Sequence, residues 1–174
     1  MKISTNPKDI DIDEWSNFVY KHPDGNIFQT PEMYDVFSHT NKYDPVLIFS
    51  KEADLTGILV GVIQREYNIF KSLTSRAIVW GGPLCHNKDE SISKKILENY
   101  LDEIKGRVLY TQIRNLYNTD SIRSAFNSLD FEFHEHLNYI LDLNNTEEQI
   151  WLEMNKKRRN TIKKSLKSSI TVNE

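Results

Sequence analysis

The spacing of apolar positions divides the chain into short helices and strands. Between Asp9 and Lys21, Ile12, Trp15, Phe18 and Val19 recur at helical intervals and acids crowd the first turn, which predicts a helix. His22-Pro23-Asp24-Gly25-Asn26 ends it with turn-forming residues. Thr30-Pro31-Glu32 opens a second helix. The Thr30 hydroxyl can cap free N–H groups there, and a proline at the first helical position loses nothing by lacking its own. Met33, Val36 and Phe37 give this helix an apolar face.

The period then shortens. Val46 to Phe49 is a short apolar run, Lys51 to Asp54 reads as a turn, and Leu55 to Gln64 is almost continuously apolar and rich in β-branched residues. A hairpin is predicted whose second strand is central and covered on both faces. Arg76 to Trp80 is a further strand, halted by Gly81-Gly82-Pro83. Asp89 to Lys105 is a helix, with Ile92, Ile96, Leu97, Tyr100, Leu101 and Ile104 on one face and Gly106 at its C-terminal stop. Val108 to Ile113 reads as a strand and Asp120 to Leu129 as a short helix. Phe131 to Leu143 alternates as the longest strand, with Phe131, Phe133, Leu137, Tyr139, Leu141 and Leu143 on one face. Thr146-Glu147-Glu148 opens a last helical stretch through Trp151 and Met154 into a basic segment, after which Ile170-Thr171-Val172 starts another strand. This order predicts an α/β (α+β) layered fold, a mixed and mostly antiparallel sheet flanked by helices.

Bulk properties narrow the setting. A chain of 174 residues suits one domain, or one domain plus part of another, and 39% apolar residues are enough for a core. Cys85 stands alone, so no internal disulfide forms and a reducing, cytoplasmic location is expected. The N-terminus has no apolar signal-like region, and no apolar run reaches membrane-spanning length. The net charge of −3 is unevenly spread. Residues 155–174 hold seven bases against Glu174, a net +6, while residues 1–154 hold 15 bases against 24 acids, a net −9. A basic end of this kind can meet phosphate, nucleic acid, anionic lipid or the acidic body, or be a solvated helix face.

A specific order of segments emerges: His22 through Pro31, Gly81-Gly82-Pro83, a strand ending Ile113-Arg114-Asn115, then Asn138-Tyr139-Ile140-Leu141-Asp142-Leu143, and Lys157-Arg158-Arg159-Asn160-Thr161-Ile162-Lys163-Lys164. This order resembles the FemAB family, whose members add amino acids from aminoacyl-tRNA to peptidoglycan precursors. The resemblance implies a GNAT-like fold, with residues 1–154 as the first of two such domains and residues 155–174 as a basic helix leading into a truncated second. It further implies direct transfer, in which an acceptor amine or hydroxyl attacks an activated ester or thioester without a covalent enzyme intermediate. The expected donor is aminoacyl-tRNA or acyl-CoA, with no bound cofactor or metal. The expected partners are a cell-envelope precursor, possible tRNA, peripheral membrane contact and the missing C-terminal half, without which the fragment is expected to be inactive. Members that bind a nucleotide-linked muropeptide often carry a lysine on the helix after the Gln-Thr-Pro-like motif. Here that helix offers Asp35 and His39, and Lys42 lies beyond it.

Individual residues admit two readings each. Gly81 and Gly82 permit close approach of a ligand to the backbone, or form a tight turn. Arg114 can hold a phosphate or carboxylate, or serve a structural ion pair. Gln29 and Tyr34 fall where the resemblance puts the substrate edge, although capping and packing explain them equally. Trp151, Met154, Arg158, Ile162 and Leu166 lie on one helical stripe, so Arg158 either extends past its apolar neighbours or binds an anion. Arg159, Lys163, Lys164 and Lys167 are candidates for tRNA phosphate. Neighbouring Cys85 and His86 point opposite ways in an extended segment, which favours a buried thiol over a dyad. Glu132, His134 and His136 share a strand face, but exposure explains them better than a metal does. Two alternatives stand beside the FemAB reading: an acyl-CoA-dependent N-acyltransferase in polysaccharide biosynthesis, and a non-catalytic anion-binding module.

Overall fold

A computed structural model describes residues 2–65, 74–136 and 144–167. It divides into two compact units, Met1–Glu132 and Phe133–Glu174.

In the first unit, β1 (Lys2–Ser4), β2 (Tyr43–Lys51), β3 (Leu55–Arg65), β4 (Ser75–Trp80) and β6 (Tyr110–Arg114) lie side by side in that order. The short β5 (Leu84–Cys85) pairs with the first part of β3, through Gly57↔Cys85 and Ile58↔Leu84. β4 pairs with the second part, from Gly61↔Val79 to Arg65↔Ser75. β4 and β5 are therefore two pieces of one interrupted path alongside β3. All pairings are antiparallel except β4 with β6. The hairpin over 43–65 forms as its pattern predicts, and β3 is buried on both faces from Gly57 to Ile63.

Helices cover both sides of the sheet. Asp11 caps α1 (Ile12–Lys21) by accepting from the Glu14 N–H, so the helix begins later than the acidic run suggests. Thr30 caps α2 (Pro31–His39), and Pro31 sits in its first turn. Trp15, Val19 and Phe37 from these helices pack on Leu47, Phe49, Val60 and Val62. On the opposite face, α3 (Glu90–Ile104) is capped by Asp89 and buries Ile96, Leu97, Tyr100 and Ile104. Gly57 and Gly61 let it approach: a Cβ on Gly57 would stand 2.7 Å from the Ile96 side chain, and one on Gly61 would stand 3.2 Å from the Tyr100 ring. The Tyr100 hydroxyl shares a 2.7 Å hydrogen bond with that of Thr111. The predicted helix over 120–129 is a 3-10 turn, Asp120–Ile122, running into α4 (Arg123–Asn127), which packs on α3.

Asp44, at the start of β2, holds Arg65 and, at 2.9 Å, Arg107, whose other nitrogen lies 2.7 Å from Glu103. These charges tie the ends of β2, β3 and α3 together. One expectation fails here: residues 131–136 form no strand, so no strand face carries Glu132, His134 and His136. The rest of that predicted strand, 137–143, lies outside the described residues, as does Ile170-Thr171-Val172.

The second unit carries α5 (Glu147–Glu153) and α6 (Lys156–Lys167). Thr146 and Gln149 form a capping box at the start of α5. The single predicted helix is broken at Met154, whose φ of −61° and ψ of 140° end α5, and the Asn155 side chain accepts from Arg158 N–H at 2.9 Å to start α6. Lys163 Nζ lies 5.8 Å from the Trp151 ring centre, a distance that a continuous helix would not allow. The stripe from Trp151 through Arg158 to Leu166 therefore does not continue across the break.

Candidate functional site

The centre of interest is the gap between β4 and β5, formed by Gly81-Gly82-Pro83, with a cis bond before Pro83. A break in a ladder leaves backbone groups without strand partners, and buried ones must find others. The segment from His22 to Gln29 supplies them. The Gln29 side chain is fully buried and donates to the carbonyl oxygens of Val60 at 3.0 Å and Trp80 at 2.8 Å, while accepting from Val60 N–H at 2.7 Å. The Asn26 side chain donates to the Gly81 carbonyl at 2.7 Å and accepts from Phe28 N–H. The His22 ring Nε2 is 3.0 Å from the Cys85 carbonyl oxygen. Asp24 lies 3.0 Å from Lys88 Nζ.

The far side is closed as well. Tyr117 donates its hydroxyl to the Pro83 carbonyl, and Gly81 N–H donates to the Arg114 carbonyl at 2.9 Å. Burial pushes the Tyr117 phenol pKa upward, with the neighbouring Cys85 and Asp24 adding to the effect. Cys85 is itself buried, and desolvation pushes its thiol up to about 12. A cavity of about 10 Å³ remains among His22, Asp24, Cys85, Lys88 and Tyr117, room for a single water.

The two glycines follow from this packing. Gly81 has a φ of +59°, and a Cβ there would stand 2.4 Å from Asn26 Nδ2. A Cβ on Gly82 would stand 2.9 Å from Gln29 Oε1. Protein side chains make the close approach for which the sequence also allowed a ligand.

Trp80 is half-buried and stacks between Phe28 and Phe37, each with ring centres 5.7 Å away. Its register partner on β6 is Arg114, exposed, with one long contact of 3.4 Å to Gln112 Oε1. Alternation along β4 and β6 sets Trp80, Gln112 and Arg114 on the same face. The next residue, Asn115, has a buried Oδ1 with no hydrogen-bond donor. An exposed guanidinium at a strand end suits a ligand with a phosphate or carboxylate.

The structure thus gathers Gln29, Gly81, Gly82 and Arg114 around one loop. Tyr34 joins this layer through Trp15: their rings meet edge-on at 5.8 Å, and Trp15 Nε1 donates to the Gln29 carbonyl at 2.7 Å. Burial, then the Asp44 charge, raises the Tyr34 pKa. Arg158, Arg159, Lys163, Lys164 and Lys167 all lie on α6 in the second unit. Periodicity marked neither Trp80 nor Asn26 and Tyr117 as parts of this site. The only sequence signal was polar residues among turn formers, which reads as an ordinary loop. Among the described residues no group of three His, Cys, Asp or Glu comes together to hold a metal.

No protein-family model and no curated protein matches the sequence. Solved structures do match in shape. FemX superposes with a TM-score of 0.63 at 14% identity, over 99% of this chain and 45% of FemX. The ribosomal-protein-alanine N-acetyltransferase of Brucella melitensis biovar Abortus 2308 gives 0.55 at 9% identity, over 82% of this chain and 100% of the enzyme. Glucosamine-6-phosphate N-acetyltransferase of Arabidopsis thaliana gives 0.55 at 8% identity, over 81% and 97%. The fold is therefore GNAT-like, as expected from the sequence, and the chain spans less than half the length of FemX.

Proposed function

We propose that this chain is the acceptor-side lobe of a FemAB-type aminoacyl- or N-acyltransferase that acts on a cell-envelope precursor. The filled gap between β4 and β5 carries the reading. In GNAT-like folds a bulged central strand offers backbone N–H groups to the acyl carbonyl. Here the Gly81 N–H is spent on Arg114 and Pro83 has none to give, so the loop can offer only the N–H of Gly82, while Gln29, Asn26 and Tyr117 cap the carbonyls of Trp80, Gly81 and Pro83. An activated acyl group gains little from such a loop, so its carbonyl is polarised by a second lobe. The length of FemX beyond the match supports that division of labour.

The chemistry assigned to the pair of lobes is direct transfer. The acceptor amine bonds to the acyl carbon, the ester or thioester bond breaks, and the amine proton leaves with the departing group or to solvent. The contribution of this lobe is position: Arg114 holds the acceptor beside the closed loop.

Titration of the 174-residue chain with a nucleotide-linked muropeptide and with acetyl-CoA tests the proposal. The muropeptide is expected to bind, to lose about 10-fold in affinity or more with Arg114→Ala, and to undergo no transfer by this chain alone. Tight binding and turnover of acetyl-CoA would instead favour the one-lobe N-acyltransferase reading, to which the near-complete cover of the acetyltransferases lends weight.

A further inference from the structure

Helix α6 is built against its own electrostatics. Lys156, Lys157, Arg158, Arg159, Lys163, Lys164 and Lys167 crowd its 12 residues, which include no acid. Arg159, Lys163 and Lys167 follow one another at four-residue spacing, where like charges repel. Four cations occupy its first turn, against the helix dipole. Although α5 carries Glu147, Glu148 and Glu153, no carboxylate among the described residues of this unit lies within ion-pair distance of an α6 cation. Among the described residues of this unit, the one favourable contact of an α6 charge is that of Lys163 with the Trp151 ring. A surface of this kind is completed by anions from outside.

The apolar residues of the unit indicate which anions. Leu166 is 79% exposed, more than any other large hydrophobic among the described residues, and Leu152 is 71% exposed. Nucleic-acid phosphates would meet the cations but leave these leucines in water. A lipid interface takes both, with headgroup phosphates against Lys and Arg and the apolar side chains in the layer beneath. We propose that the α5–α6 unit docks on an anionic lipid surface, with the α6 cations against headgroup phosphates and Leu152 and Leu166 entering the interfacial layer. The proposal is independent of the acyl-transfer reading.

The test is cosedimentation of the full chain with vesicles of phosphatidylcholine alone and of phosphatidylcholine containing roughly a third phosphatidylglycerol, with a short duplex RNA titrated in parallel. Binding is expected only to the anionic vesicles, with release at high salt. Lys163→Glu/Lys164→Glu should lower it by about 10-fold or more, Lys163→Gln/Lys164→Gln by less, and Leu166→Ser by about 3-fold. Unchanged circular dichroism of each variant excludes unfolding as the cause. Equal binding to both vesicle types, or indifference to either lysine pair or to Leu166, would overturn the proposal. RNA binding that ignores Leu166, with no capture by anionic vesicles, would reassign the surface to nucleic acid.

Discussion

Gln29 and Val60 exchange two hydrogen bonds in the manner of paired strand residues: the Gln29 amide nitrogen donates to the Val60 carbonyl at 3.0 Å, and Val60 N–H donates back to Oε1 at 2.7 Å. A side chain here completes a ladder whose backbone partner has turned away at Gly81-Gly82-Pro83. Gln29→Leu would strand the N–H and C=O of Val60 and the C=O of Trp80 in a dry interior. Orphaned groups of this kind cost roughly 1–3 kcal/mol each, and a total loss of about 3 kcal/mol or more is expected in urea denaturation. A loss under 1 kcal/mol would mean that water replaces the amide.

The glycines of the chain separate two kinds of constraint. Gly106 and Gly81 both have positive φ, but a Cβ on Gly106 meets nothing within 4 Å while one on Gly81 meets Asn26 at 2.4 Å. Gly106→Ala should cost only the left-handed backbone penalty, about 1 kcal/mol. Gly81→Ala should cost about 3 kcal/mol, since Asn26 is tied down by its own hydrogen bonds. Thermal melts of the two variants side by side measure the difference. Equal losses would show that the Asn26 contact is soft.

Arg114 should behave in the opposite way. It is exposed and, among the described residues, makes a single long side-chain contact, so Arg114→Ala should change stability by no more than about 0.5 kcal/mol. The same substitution is expected to weaken acceptor binding, and calorimetric unfolding alongside ligand titration distinguishes a ligand-holding side chain from a structural one.

Alkaline pH offers a test of core burial. The Cys85 thiol ionises at about 12 in the folded chain against an ordinary 9.0, because the interior disfavours the thiolate. The stability this group contributes is full below the unfolded value and is lost as pH rises toward the folded one. Between pH 9 and 10 the unfolded chain releases a proton that the folded chain keeps, at a cost of about 1 kcal/mol. Cys85→Ala should remove that slope while lowering stability at neutral pH by a small cavity term. Tyr100 and Tyr117 are also raised by burial, but their ordinary value of 10.0 puts their effect at higher pH. A wild-type slope that survives Cys85→Ala would show that the thiol is not its source.

The sequence was most legible where a period repeats. α1, α2, α3, β2, β3 and β4 all fall within a few residues of where apolar spacing and capping residues put them. β1 and β5, of 3 and 2 residues, were invisible because so few positions cannot establish a period, and they exist only through β2 and β3. The break at Met154 was missed because Trp151, Met154 and Arg158 keep helical spacing across it. Residues 131–136 alternate like a strand but form none, so alternation over so few positions is not sufficient by itself. The site was hardest to read. Gln29 to Val60, Asn26 to Gly81 and His22 to Cys85 are separated by 31, 55 and 63 positions, and such pairings leave no trace in local pattern.

Those separations bear on the order of assembly. The 22–29 stretch has nothing to grip until β3, β4 and the loop after them already lie side by side, although it is synthesised first. Its contacts therefore belong to the late side of the folding barrier, and weakening them should quicken unfolding while leaving the refolding rate nearly untouched. Cutting this clasp would give a molecule that forms as fast as before but comes apart sooner.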